Sequence, residues 1–230
     1  MNIALGSIMF AALAALTING AQAQKKGAPP AKPAAVPANP QYVISVMQGG
    51  AKLGDITIEL YPDAAPKHCA NFDSLVAIKF YDGTAFHRVI PDFMIQGGDP
   101  NTRGGSPNTW GSGDPTQKRV PAEFSQTLSH VRGIISAART NDPNSATSQF
   151  FICVGNPTYL DKQYSIFGKV LNGMEIADKI AKTPRGENDR PNEKVTMTIK
   201  KLGGKPEQPV AAADKKPAAK KPAKKKSTTK

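Results

Sequence analysis

The stretch Phe86-His87-Arg88-Val89-Ile90-Pro91-Asp92-Phe93-Met94-Ile95-Gln96-Gly97-Gly98-Asp99 places an arginine near a glutamine, with Phe93 and Met94 between them. About fifty residues later comes a second stretch, Ser148-Gln149-Phe150-Phe151-Ile152-Cys153. A guanidinium, two carboxamides and several large apolar side chains can bind and polarise a substrate, but they include no paired nucleophile and base. Other chemistries fail on spacing. His68 and Cys69 are adjacent on an expected helix, so their side chains diverge by about 100°. His68, His87 and His130 show no metal-ligand spacing. Gly97-Gly98 and Gly104-Gly105 lack the following Lys-Ser/Thr of a phosphate-binding loop. No cofactor and no metal are expected. What remains open is binding and chemistry that forms no covalent bond to the protein.

Short elements must position these residues. Tyr42 to Met47 and Asp55 to Leu60 alternate as strands, with Gly49-Gly50 as the turn between them and Ile56, Ile58 and Leu60 on one face. Pro66 suits the first turn of a helix, and Cys69, Phe72, Leu75 and Val76 give that helix an apolar stripe through about Ile78. Short apolar runs follow at Ala85–Val89, Phe93–Gln96, Ile134–Ala138, Phe150–Val154 and Ile166–Val170. A second helix is predicted from about Met174 to Lys182, and Val195 to Leu202 closes the domain as a strand. Many short strands with two helices predict a closed or sandwiched antiparallel β-structure. The loop from Pro100 to Pro121 is rich in Gly, Asn, Thr and Pro; its Trp110 could touch substrate or pack on the rim.

Both motifs resemble the active-site strands of cyclophilins, the peptidyl-prolyl cis-trans isomerases, and the resemblance runs from Tyr42 to Leu202. It implies an all-β dominated fold, a closed eight-stranded antiparallel β-barrel capped by a helix over each open end. It implies that Arg88 is the catalytic arginine and that Gln96 binds the substrate backbone and helps fix that arginine. Phe93, Met94, Phe151 and Leu160 match the apolar pocket for the prolyl ring. Gln149 matches a polar wall residue, and Ala138 and Arg139 fall where the family presents backbone to the peptide. Between Gly133 and Gln149 the chain resembles the bacterial branch, and with its expected leader the exported, periplasmic one. Two departures stand out. Tyr159 replaces a tryptophan that contacts cyclosporin in many members, which implies weaker cyclosporin binding with an aromatic wall retained. Tyr164 stands where many members carry histidine. Taken singly, Phe93, Met94 and Phe151 read as core and Arg88 as a solvated strand residue; their joint occurrence in two long motifs reverses that reading. His87 reads as structural, because strand neighbours point to opposite faces.

The implied chemistry breaks no covalent bond. Partial double-bond character sets a rotation barrier of about 18–20 kcal/mol, and X–Pro isomers exchange over roughly tens to hundreds of seconds. An enzyme must bind the twisted amide better than either planar form. In the twisted state the prolyl nitrogen recovers a lone pair, and a guanidinium aimed there acts mainly in the transition state.

The flanks read differently from the middle. Residues 1–23 are an expected signal peptide, with an uncharged apolar run from Ile3 to Ile18, the small-x-small pattern Ala21-Gln22-Ala23, and no Lys or Arg ahead of the run. Cleavage is expected after Ala23, giving a periplasmic or secreted protein. Residues 24–40 form an expected Pro/Ala/Lys-rich disordered linker, residues 41–203 the isomerase domain, and residues 204–230 a Lys/Pro/Ala-rich disordered basic tail. The net charge of +12 belongs to these flanks. Eleven lysines against two acidic residues lie in 200–230, whereas 41–199 balances sixteen basic with sixteen acidic residues. The domain itself therefore gives no footing for nucleic acid. The expected partners are proline-containing polypeptides, with acidic envelope polymers or lipids open to the tail, and nucleic acid only if the protein stays inside the cell. Nothing demands more than a monomer. Cys69 and Cys153 could pair in an exported protein, but their apolar settings favour two buried free thiols. A proline-recognising binding module or holdase is the alternative to an isomerase.

Overall fold

The computed structural model describes residues 39–203; the expected leader, nearly all of the linker and the basic tail lie outside them. Nine strands and two helices occur there: β1 (Gln41–Gln48), β2 (Ala51–Leu60), α1 (Pro66–Ala77), β3 (Ala85–Phe86), β4 (Arg88–Ile90), β5 (Met94–Gly97), β6 (Ile134–Ala137), β7 (Phe150–Cys153), β8 (Ile166–Asn172), α2 (Met174–Ala181) and β9 (Val195–Lys201). The strands form one antiparallel sheet in the order β3-β9-β1-β2-β8-β6-β7-β5-β4.

The two ends of that order are consecutive in sequence. Only His87 separates β3, which pairs with β9, from β4, which pairs with β5. The His87 N–H still donates to the Gln96 carbonyl at 3.0 Å. One bent strand thus brings the sheet round on itself, and the barrel is nearly closed. The expected single run Ala85–Val89 is split at this bend. Counted as one, β3 and β4 restore the expected eight strands.

Alternation decides which side chains fill the barrel. Tyr42, Ile44 and Val46 on β1, Ile56, Ile58 and Leu60 on β2, and Val195, Met197 and Ile199 on β9 are all buried in the main core. Val89, Ile95, Ile135, Phe150, Ile152 and Phe167 join them. Helix α1 adds Phe72, which sits edge-on to Tyr42 and Phe150 at ring separations of 5.3 and 5.8 Å. Cys69 and Cys153 are buried and unpaired, and burial pushes both thiols up to about 12, so neither is a ready thiolate.

Both helices start with help from elsewhere. Pro66 opens α1, but Ala65 offers no capping side chain. The Glu123 carboxylate, from the loop after β5, takes its place, accepting from the N–H groups of Lys67 and His68 at 3.0 Å and meeting His68 Nδ1 at 2.7 Å. Helix α2 follows Gly173 at φ 92°, where a Cβ would overlap the Asp55 carbonyl oxygen. Only glycine allows that approach.

Candidate active site

The outward faces of β4 to β8 carry a second, smaller apolar cluster. Met94, Ile134, Phe151, Cys153 and Ile166 form it, with Phe93, Ala138, Leu160 and Tyr164 packed against it. The candidate site is therefore on the outside of the barrel wall.

Strand register places its polar members. Arg88 on β4 lies opposite Gln96 on β5, Gln96 lies opposite Phe151 on β7, and Phe151 lies opposite Ser136 on β6. Two motifs far apart in sequence thus become one row across four strands. Gln96 Nε2 donates to Gln149 Oε1 at 3.0 Å, and Gln149 Nε2 donates to the Gly111 carbonyl at 3.1 Å. The expected Gln96 hold on the arginine is not a direct hydrogen bond among the described residues; Gln149 is its partner instead. The Arg88 guanidinium lies 6.0 Å from the Phe93 ring centroid, and its Nε is 3.7 Å from Asp189 Oδ2.

Phe93 reaches the site from the tight turn between β4 and β5, where Asp92 takes φ 59°. The N–H groups of Val154 and Gly155 both donate to the Phe93 carbonyl, at 2.9 and 3.2 Å. A Cβ at position 155 would overlap the Asp92 carbonyl oxygen, so this anchor also requires glycine.

Arg88, Phe93, Met94, Gln96, Ala138, Arg139, Phe151 and Leu160 together line a cavity of about 120 Å³, with Tyr164 completing the wall. Drug-sized ligand sites span about 300–1,000 Å³, so this cavity suits a single small side chain. Met94 and Phe151 are buried and form its floor. Tyr159 stands at the rim, 66% exposed, with its ring 6.0 Å from that of Phe93.

The Arg139 side chain holds a neighbouring loop. Its Nε and Nη2 donate to the Gln163 carbonyl at 3.0 and 2.9 Å, and its guanidinium lies 4.4 Å from the Tyr164 ring. It fixes the loop that carries Tyr159 and Leu160. The Ala138 N–H donates to the Gln149 carbonyl at 2.9 Å, and no hydrogen bond takes the Ala138 carbonyl among the described residues.

A residue weighed above only as a metal ligand supports the floor. His130 is fully buried and stacks on Phe151 at 6.1 Å and 16°. Its Nδ1 is 2.7 Å from Asp161 Oδ1 and its Nε2 is 3.1 Å from Ser136 Oγ. Burial pushes its imidazole below the usual range although Asp161 opposes the shift, so the neutral ring is favoured. Thirty-one residues separate His130 from Asp161, and no local pattern signals that pair.

A profile of the family described as "Cyclophilin type peptidyl-prolyl cis-trans isomerase/CLD" matches residues 43–202. The chain belongs to the cyclophilin family. Among curated cyclophilins, the peptidyl-prolyl cis-trans isomerase of Acinetobacter baylyi is 46% identical over 137 residues, covering 57% of this chain and 69% of that one. The peptidyl-prolyl cis-trans isomerase-like 3 of Gallus gallus is 45% identical over 137 residues, covering 59% and 81%. A solved cyclophilin-type isomerase from Cryptosporidium parvum superposes with a TM-score of 0.61 at 29% identity, covering 72% of this chain and 99% of that one. A second structure of that protein, determined in the presence of the dipeptide Ala-Pro, gives a TM-score of 0.58 at 31% identity, covering 68% and 96%. By family and by the names of its relatives, this cyclophilin is a peptidyl-prolyl cis-trans isomerase.

The fold also locates the departures. Tyr164 sits within the cyclophilin cleft, edge-on to Phe151 at 5.7 Å. His87, expected to face away from Arg88, lies at the bend between β3 and β4 and lines a hollow that Arg88 also borders. Trp110 lines the same hollow, with its Nε1 tied to the Gly105 carbonyl at 3.1 Å.

Proposed function

We propose that this cyclophilin accelerates rotation about X–Pro bonds of exported polypeptides, with Arg88 stabilising the twisted amide above an apolar floor. One observation carries the mechanism. Arg88, Gln96 and Phe151 lie in a single row across β4, β5 and β7, with the guanidinium beside the Phe93 ring over a cavity sized for one small side chain. A prolyl ring seated on Met94 and Phe151 brings its nitrogen to the Arg88 side of the cavity. As the amide twists, that nitrogen becomes an acceptor and the guanidinium donates to it. The Ala138 carbonyl and the Gln96 amide hold the flanking chain while the carbonyl on the other side of the bond turns.

Magnitudes assign the shares. An acceleration of roughly 10⁵ needs about 7 kcal/mol. One hydrogen bond from a charged group contributes about 1.5–3 kcal/mol. The remainder falls to the dry floor and to the fixed flanking chain. The dipeptide present with the Cryptosporidium parvum relative contains proline, which supports proline-containing chains as substrates here.

Export rests on the apolar run Ile3–Ile18 followed by Ala21-Gln22-Ala23. The lysine-rich end would then meet acidic lipid or polymer in the envelope. The decisive experiment is a peptide isomerisation assay of wild type against Arg88→Ala and Arg88→Lys. The expected result is a fall of at least roughly ten- to a hundred-fold in kcat/KM for Arg88→Ala, with partial activity in Arg88→Lys. Equal rates in all three would remove Arg88 from the mechanism. Amino-terminal sequencing of mature protein tests export, and a chain still beginning at Met1 would refute it.

A further inference from the structure

Beside the proline cavity lies a second hollow of about 340 Å³, and Arg88 and Gln96 border both. Its other walls include His87, Trp110 and Arg190, and no carboxylate lines it. Arg190 Nη1 donates to the Pro107 carbonyl at 2.9 Å, which leaves the rest of its guanidinium available. That guanidinium is 5.9 Å from the Trp110 ring centroid, and Lys194 Nζ is 5.7 Å from the same ring. The indole is fixed through the Gly105 carbonyl, so it makes a rigid flat wall flanked by cations. The nearby carboxylate of Asp189 is already held between Arg88 and Arg185, at 3.7 and 3.3 Å from their Nε atoms.

His87 closes the hollow on its inner side. It is 5% exposed, and neither ring nitrogen has a hydrogen-bond partner among the described residues. Both nitrogens are closed off from solvent, so they lie behind the surface of the hollow. Burial also pushes the ring below the usual imidazole range, so it adds no positive charge to the hollow.

We infer that this hollow is a subsite for an acidic side chain of the same polypeptide whose proline occupies the cavity, with Arg190 as the specificity-determining cation. The inference rests on the proline-cavity reading. Because Arg88 borders both spaces, the acidic residue lies within about two positions of the proline, at roughly 3.3–3.6 Å per extended residue. A lysine at that position meets two guanidiniums, and the one nearby carboxylate, Asp189, is already engaged by Arg88 and Arg185. A carboxylate meets both donors, beside an aromatic face that accepts its methylene stem.

The test uses peptides identical except for Glu, Gln or Lys at each of the two positions on either side of proline. In wild type, kcat/KM is expected to rank Glu above Gln above Lys at one or more positions, with a Glu-to-Lys ratio of about five to twenty at low salt. That ratio shrinks at high salt, as exposed charges are screened. Arg190→Glu inverts the order at the same position, and Arg190→Gln flattens it. A wild-type ratio near one at all four positions overturns the subsite, as does a ratio that Arg190→Glu leaves unchanged. Failure of the underlying reading looks different, because wild type would then not isomerise even the all-alanine reference peptide.

Discussion

Gln96 Nε2 and Gln149 Oε1 are 3.0 Å apart, and this contact ties the two motif strands together at the edge of the cavity. Gln149 in turn donates to the Gly111 carbonyl, so one side chain links the active row to the long loop. Gln149→Ala removes both bonds, and kcat/KM is expected to fall roughly two- to ten-fold from a net loss of about 0.5–1.5 kcal/mol. Gln149→Glu separates the two: it still accepts from Gln96 but repels the Gly111 carbonyl. Peptide kinetics on both variants read the difference, and wild-type kinetics in Gln149→Ala would dismiss the tether.

His130 is expected to hold Phe151 in place. His130→Ala leaves Asp161 and Ser136 without their ring partner and opens space beneath the floor. The expected loss is about 2–4 kcal/mol of folding stability, with weaker substrate affinity seen as a raised KM. Urea unfolding and peptide kinetics check both. Full stability in the variant would show that the stack is incidental.

Glu123 acts at a distance from the cavity. Glu123→Gln removes the charge that faces the first turn of α1 and His68, for an expected destabilisation of about 1–2 kcal/mol. Turnover per folded molecule should not change. A thermal melt alongside an assay well below the melting temperature distinguishes the two effects, and unchanged Tm would rule out the cap.

Acid should destabilise the fold before its carboxylates titrate. Burial pushes the imidazoles of His68, His87 and His130 below their usual range. The unfolded chain then binds these protons first, so stability is full above the unfolded imidazole value of about 6.5. It falls as pH drops from there toward the folded values, at up to roughly 1.4 kcal/mol per pH unit for each histidine. Urea unfolding between pH 8 and pH 5 measures the slope. A flat profile across that range would contradict the burial of neutral rings.

The residues of the cavity were legible in sequence because two long motifs carry Arg88, Phe93, Met94, Gln96 and Phe151 together. Alternation alone did not single them out, since Met94 and Ile95 are both buried and β7 is buried along its whole length. Both helices were also readable, from Pro66 and from the spacing of apolar residues. The bend at His87 was not: Phe86 and Val89, three residues apart, both enter the core, which unbroken alternation would forbid, and only closure of the barrel explains it. Contacts between distant segments left no local trace either. Glu123 caps a helix 56 residues earlier in the chain, and Arg190 bonds the Pro107 carbonyl from 83 residues away. Such pairs follow from topology, which no window along the chain contains.

Parity governs the molecule more strictly than its small cavity suggests. Positions 88, 94 and 96 face the substrate side while 89 and 95 fill the barrel, so removal of one residue from the Asp92–Phe93 turn would transpose the two sets. The cleft would then receive Ile95, and the interior would have to swallow a glutamine. Side chains on the working surface can be exchanged one at a time with little strain on the scaffold, but the length of that turn is not free to drift.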